Sequence, residues 1–106
     1  MKWRNPIPYV QEAKHAGKLR FSAHGLERAI ERDIKPSDVK QALNCETVTV
    51  LENFPTGPKP TCLILGRDDS ARAIHTIVAY PNILVVTVYE PKPPYWVTSD
   101  QRGNQI

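Results

Sequence analysis

The chain changes its hydrophobic period once, near Cys45, and that change limits it to one kind of architecture. Before it, apolar residues recur at helical spacing. After it, β-branched residues alternate in short runs. Pro6 and Pro8 suit the first turn of a helix from about Tyr9 to Ala16, which Gly17 stops. Leu19–Ser22 alternates as a short strand. Ser22 then caps a helix over about Ala23–Asp33, and Pro36 with Asp38 opens a third helix that turns Val39, Ala42 and Leu43 inward. Thr47–Leu51, Thr61–Gly66, Arg72–Ala79 and Ile83–Glu90 read as strands. Three prolines and a glycine between Phe54 and Pro60 forbid a ladder there. Helices followed by a strand meander predict an α+β fold, with N-terminal helices on one face of a four- to five-stranded, mainly antiparallel sheet.

A chain of 106 residues holds one core and not two. Residues 1–96 are expected to form a single domain and 97–106 a flexible polar tail, with Tyr95 and Trp96 docking on the body. No apolar run approaches the ~18 residues a bilayer requires, and MKWRNPIPYV has no apolar signal core, so the expected compartment is the cytoplasm, without membrane contact. Cys45 and Cys62 form no CxxC and neighbour no histidine cluster. They read as two buried thiols, with no metal site and no cofactor. Lys and Arg total 14 against 11 Asp and Glu, a net charge of +3. The excess gathers at Lys2, Arg4, Lys14, Lys18 and Arg20, which suits an anionic partner such as RNA or an acidic protein.

At 100° per residue the second helix puts Ala23, Leu26, Ala29 and Ile30 on one arc, expected to face the sheet. His24, Arg28 and Arg32 stack on the other side, with Glu27 and Glu31 as an acidic row beside them. Two arginines one turn apart match phosphate geometry, and Glu31 offsets part of their repulsion. His24 lies in the first turn, where the positive end of the helix disfavours a protonated ring, which suits a general base. His75 lies mid-strand between Ile74 and Ile77 and needs a partner if buried. It is the second candidate for acid/base work. Thr87 and Tyr89 stand in the last strand. His15 reads as a surface residue. No Gly-rich phosphate loop, HExxH or GxSxG occurs. Two histidines, several arginines and no metal are compatible with RNA phosphodiester cleavage.

The ordered set Phe21-Ser22-x-His24-x-x-x-Arg28-x-x-x-Arg32, Asp38-Val39, Leu63-x-x-Gly66-Arg67, Ile74-His75 and Val86-Thr87-Val88-Tyr89 resembles an uncharacterised bacterial domain family related to the RelE/ParE/MqsR-type toxins. The resemblance covers about Arg20 to Trp96. It implies a RelE-like fold, a metal-independent endoribonuclease that cuts mRNA, and a cognate antitoxin of the MqsA-like zinc-finger kind. The matching positions are His24, Arg28, Arg32, His75, Thr87 and Tyr89, with Arg67 as a further phosphate contact. His24 is then the expected base and His75 the acid, two roles that the histidines could exchange, with Arg28 and Arg32 as the phosphate clamp and Tyr89 a positioning group. Lys35 departs from the small residue expected to cap the third helix. A three-residue loop, Tyr80-Pro81-Asn82, would set His75 opposite Thr87 and diagonal to Tyr89 on one sheet face. A non-catalytic module binding RNA or antitoxin, and a structural or oligomerisation domain, are the rival readings.

Overall fold

The computed structural model describes residues 7–15, 19–54, 60–79 and 83–92. The expected tail, Tyr95, Trp96 and the hairpin loop 80–82 lie outside them. The elements run α1 (Ile7–His15), β1 (Arg20–Phe21), α2 (Ala23–Glu31), α3 (Pro36–Leu43), β2 (Thr49–Phe54), β3 (Thr61–Arg67), β4 (Ala73–Ala79) and β5 (Leu84–Tyr89). The strands form one mixed sheet of order β1-β5-β4-β3-β2. β2 to β5 pair antiparallel, while β1 runs parallel to β5 through only Arg20↔Leu84 and Phe21↔Val85. The fold is α+β, as the change of period predicts.

One sheet face carries Cys62, Ile64, Ile74, Val78, Val85 and Val88, which pack with Val10, Ala29, Ile34, Val39, Ala42 and Leu43 from the helices and their links. Strand alternation sends Leu63, Leu65, His75, Ile77, Thr87 and Tyr89 to the opposite face. Two glycines set how near the helices come. A Cβ on Gly66 would overlap the Ala42 carbonyl of α3, and one on Gly25 would overlap the Val85 carbonyl of β5.

The close approach at Gly25 corrects the expected orientation of α2. The helix docks through Gly25 and Ala29, both buried, while Leu26 and Ile30 are 41% and 71% exposed. A bulky residue at the contact would hold the helix off the strand; glycine and alanine let it settle, and that rolls the Leu26–Ile30 shoulder outward. The same rotation carries Arg32 toward the sheet edge.

The ends of α2 are well defined. Ser22 Oγ accepts from Gly25 N–H (2.8 Å), as expected of a cap. At the other end Asp33 adopts a left-handed φ of 55°, Ile34 N–H donates to Ala29 O (2.9 Å) and Asp33 N–H to Ile30 O (3.2 Å). This is a Schellman closure, so the helix stops two residues before the expected Asp33. For α3, Lys35 offers no cap oxygen, but Asp38 Oδ2 reaches back to Lys35 N–H (2.9 Å). Asp38 also receives Arg72 Nη2 (2.9 Å), whose Nε binds Asp68 (3.1 Å) and whose Nη1 reaches Glu90 (3.3 Å) and Asp33 O (3.1 Å). Arg72 thus ties the start of α3, the β3–β4 turn, the α2–α3 link and the end of β5 into one corner.

Candidate functional site

β4 and β5 build the centre of the site. Near their turn they pair Ala79↔Leu84 and Val78↔Val85; one residue later the register has shifted, to Ile77↔Thr87, Thr76↔Val88 and His75↔Tyr89. Val86 is the extra residue of this bulge. The expected pairing of His75 with Thr87 is therefore corrected. His75 stands directly opposite Tyr89, on the same face, because β5 is displaced by two residues: the hairpin starts from Ala79↔Leu84, one residue beyond the expected register, and the bulge adds a second. His75 Nδ1 lies 3.4 Å from the Tyr89 hydroxyl, with the rings edge-to-face at 5.2 Å between centroids. His75 is completely buried, and Tyr89 is the half-buried member of the pair. A buried imidazole needs a polar partner, and the phenol meets part of that need.

Arg32 supplies the charge. It caps α2 where no strand among the described residues pairs with β5 beyond the end of β1. Its Nη1 donates to Val88 O (2.7 Å) and lies 3.4 Å from Thr87 Oγ1, while its guanidinium carbon stands 5.9 Å from the centroid of the Tyr89 ring. Arg32 thereby reaches around the open strand edge from the helix layer to the face that carries Thr87 and Tyr89. Beside it lies a pocket of about 260 Å³ lined by Arg32, Tyr89, Glu90 and Lys92.

The structure therefore brings four of the sequence-predicted residues together: Arg32, His75, Thr87 and Tyr89. His24 and Arg28 form a second group up the helix. Arg28 Nε donates to His24 Nε2 (3.2 Å) and its Nη1 pairs with Glu31 (3.0 Å), the i,i+3 offset expected from the spacing. Gly25 packs at Val85 and Arg32 at Val88, so α2 runs alongside β5 and His24 sits at the Val85 end. Because Val86 is bulged, only three residues of the paired strand, from Val78 to His75, separate that level from Tyr89, or about 10 Å at ~3.3 Å each. Arg67 stands at the end of β3, where its Nη1 donates to Ala71 O (3.1 Å) across the turn. His15 is exposed, as expected.

Sequence reasoning missed Glu90 and Lys92. The available signal was a carboxylate and an amine flanking Pro91, next to the one strand tyrosine already singled out. Among the described residues no group of three or more His, Cys, Asp or Glu could hold a metal ion, and no helix is long and apolar enough to cross a membrane. Cys45 and Cys62 are free thiols; Cys62 is buried, and burial pushes its pKa up to about 12. Cys45, expected to be buried, is only partly so, and its Sγ accepts from Arg67 N–H (3.3 Å).

The architecture is thus a mixed-sheet α+β domain with a basic pocket at the edge of its last described strand, β5. The chain belongs to the family described as domain of unknown function DUF4258, whose model matches residues 21–90. That span takes in α2, α3, β2 to β5 and every sequence-predicted site residue. No curated protein and no solved structure matches the chain.

Proposed function

We propose that this is a RelE-like domain that cuts single-stranded RNA, such as mRNA, without a metal, and that an antitoxin of the MqsA-like kind restrains it in the cytoplasm. The observation that carries this reading is the alignment of Arg32, Tyr89 and His75 beside one pocket. Arg32 and Lys92 supply positive charge for a phosphodiester and for the more highly charged phosphorane that follows attack. Tyr89 is the group of the His75–Tyr89 pair that lines the pocket, so its hydroxyl is the proton donor to the leaving 5′-oxygen. His75, enclosed behind it, holds the hydroxyl in place. His24 and Arg28 extend the cationic surface along α2, where they guide the RNA backbone toward the pocket.

The test is incubation of purified protein with single-stranded RNA, with and without ribosomes. The expected products carry a 2′,3′-cyclic phosphate and a 5′-hydroxyl, and Tyr89→Phe slows their formation by about 10²–10⁴-fold, the usual yield of general acid catalysis. Intact RNA under both conditions overturns the reading. A binding module is the second reading, and the complete burial of His75 favours it, since that imidazole presents no surface to solvent. It predicts RNA affinity that falls on Arg32→Ala, with no cleavage by the unaltered protein.

A further inference from the structure

The proposed reaction needs a base for the 2′-hydroxyl, and the geometry around β5 supplies one other than His24. His24 stands at the Val85 end of β5, a level about 10 Å from that of Tyr89 at ~3.3 Å per strand residue, and its Nε2 lone pair is engaged by Arg28 Nε at 3.2 Å. The pocket beside Tyr89 contains its own proton acceptor. Among its described lining residues, Glu90 is the only carboxylate.

Glu90 is also oriented. Its Oε1 receives Arg72 Nη1 at 3.3 Å, and its side chain is 31% exposed. Arg72 is itself fixed by Asp68 and Asp38, at 3.1 and 2.9 Å, so it is a rigid anchor. One oxygen is thus held from behind, while the residue itself lines the pocket. The groups around Glu90 come from every neighbouring element: Arg72 ahead of β4, with Asp68 and Asp38 behind it; Arg32 at the end of α2; Tyr89 on β5; and Lys92 beyond Pro91. Arg32 and Lys92 take the phosphate, Tyr89 gives a proton, and Glu90 accepts one. A nucleophile's base steadied by a third group is the common arrangement at such sites.

We infer that Glu90 is the general base of the RNA cleavage proposed above, an inference that rests on that reading. Glu90 removes the proton from the 2′-hydroxyl as O2′ forms a bond to phosphorus. The P–O5′ bond breaks, and the leaving oxygen takes the Tyr89 hydroxyl proton. The products are a 2′,3′-cyclic phosphate and a 5′-hydroxyl. The proton held by Glu90 returns through water to the Tyr89 phenolate, so the cycle closes without an oxidant, metal or co-reactant.

The experiment measures kcat/KM on a short single-stranded RNA from pH 4 to 9 for the unaltered protein, Glu90→Gln and Glu90→Asp, with thermal unfolding of each recorded alongside. The expected result is a loss of about 10²–10⁴-fold in Glu90→Gln at neutral pH, with a smaller loss in Glu90→Asp. The unaltered rate falls on acidification, whereas the residual Glu90→Gln rate does not. Cleavage by Glu90→Gln at the unaltered rate, with the acid limb retained, overturns the inference and leaves the ribonuclease reading standing. Failure of the unaltered protein to cleave overturns both. If Glu90→Gln unfolds, the Glu90→Asp profile decides: a rate and an acid limb both unchanged from the unaltered protein overturn the inference.

Discussion

Single residues separate what is reactive from what is structural. Cys62 lies in the core with its thiol pushed up to about 12, whereas Cys45 is only half-buried. A thiol reagent at neutral pH should label one cysteine in the native protein and two after denaturation, read by intact mass. Rapid double labelling of folded protein would contradict the burial. Ala71 tests the backbone. It holds φ at 63° in the β3–β4 turn, where a Cβ is strained and no polar side chain compensates. Ala71→Gly should raise stability by about 0.5–1 kcal/mol in denaturant titration, the strain relief exceeding the added unfolded-state entropy. Tyr89 and His75 were both legible as individual candidates. Their pairing was not, because it depends on Val86, and a bulge has no one-residue signature in a run such as ILVVTVYE.

Secondary-structure elements were readable wherever period and punctuation agreed. Ser22, Pro36, Asp38 and the β-branched runs located α2, α3 and the sheet to within a few residues. The orientation of α2 was not readable from its hydrophobic arc, because Gly25 dominates the contact while adding nothing to that arc. Gly66 plays the matching part under α3. Gly66→Ala should cost about 1–3 kcal/mol, since the new methyl meets backbone that cannot rotate away. A denaturation midpoint unchanged from the parent would show that α3 stands farther off. The Arg72 corner gives a pH test. Burial opposes ionisation of Asp68, but hydrogen bonds from the Arg72 backbone and guanidinium and from Ser70 N–H outweigh it and hold the carboxyl below its ordinary value. A depressed folded-state pKa adds stability above the unfolded carboxyl value, about 3.9, and that stability is lost as pH falls through the folded value. Asp68→Asn should therefore cost about 1–2 kcal/mol at pH 7. Its stability should also change less than the parent's on acidification below about pH 4. Parallel acid profiles would remove Asp68 from the account.

At the scale of the whole molecule, the cationic row read along one helix divides into two sites with different neighbours. Arg32 leaves the row to join Thr87, Tyr89 and the buried His75 at the edge of β5, while His24 and Arg28 remain with Glu31 on the outer helix. Helical spacing alone cannot make this division, because the three residues fall on one arc of the wheel and it is the sheet that decides which of them gains a partner beside it. The central claim is that the phosphate-handling site is the β5 edge. It is tested most directly by an NMR titration of the protein with a short single-stranded RNA in which 2′-hydrogen replaces the attacking hydroxyl. The account predicts the largest shifts at the Arg32 side chain, Thr87, Tyr89 and Glu90, with smaller ones at His24 and Arg28. Shifts confined to His24 and Arg28, or none at saturating RNA, would contradict it.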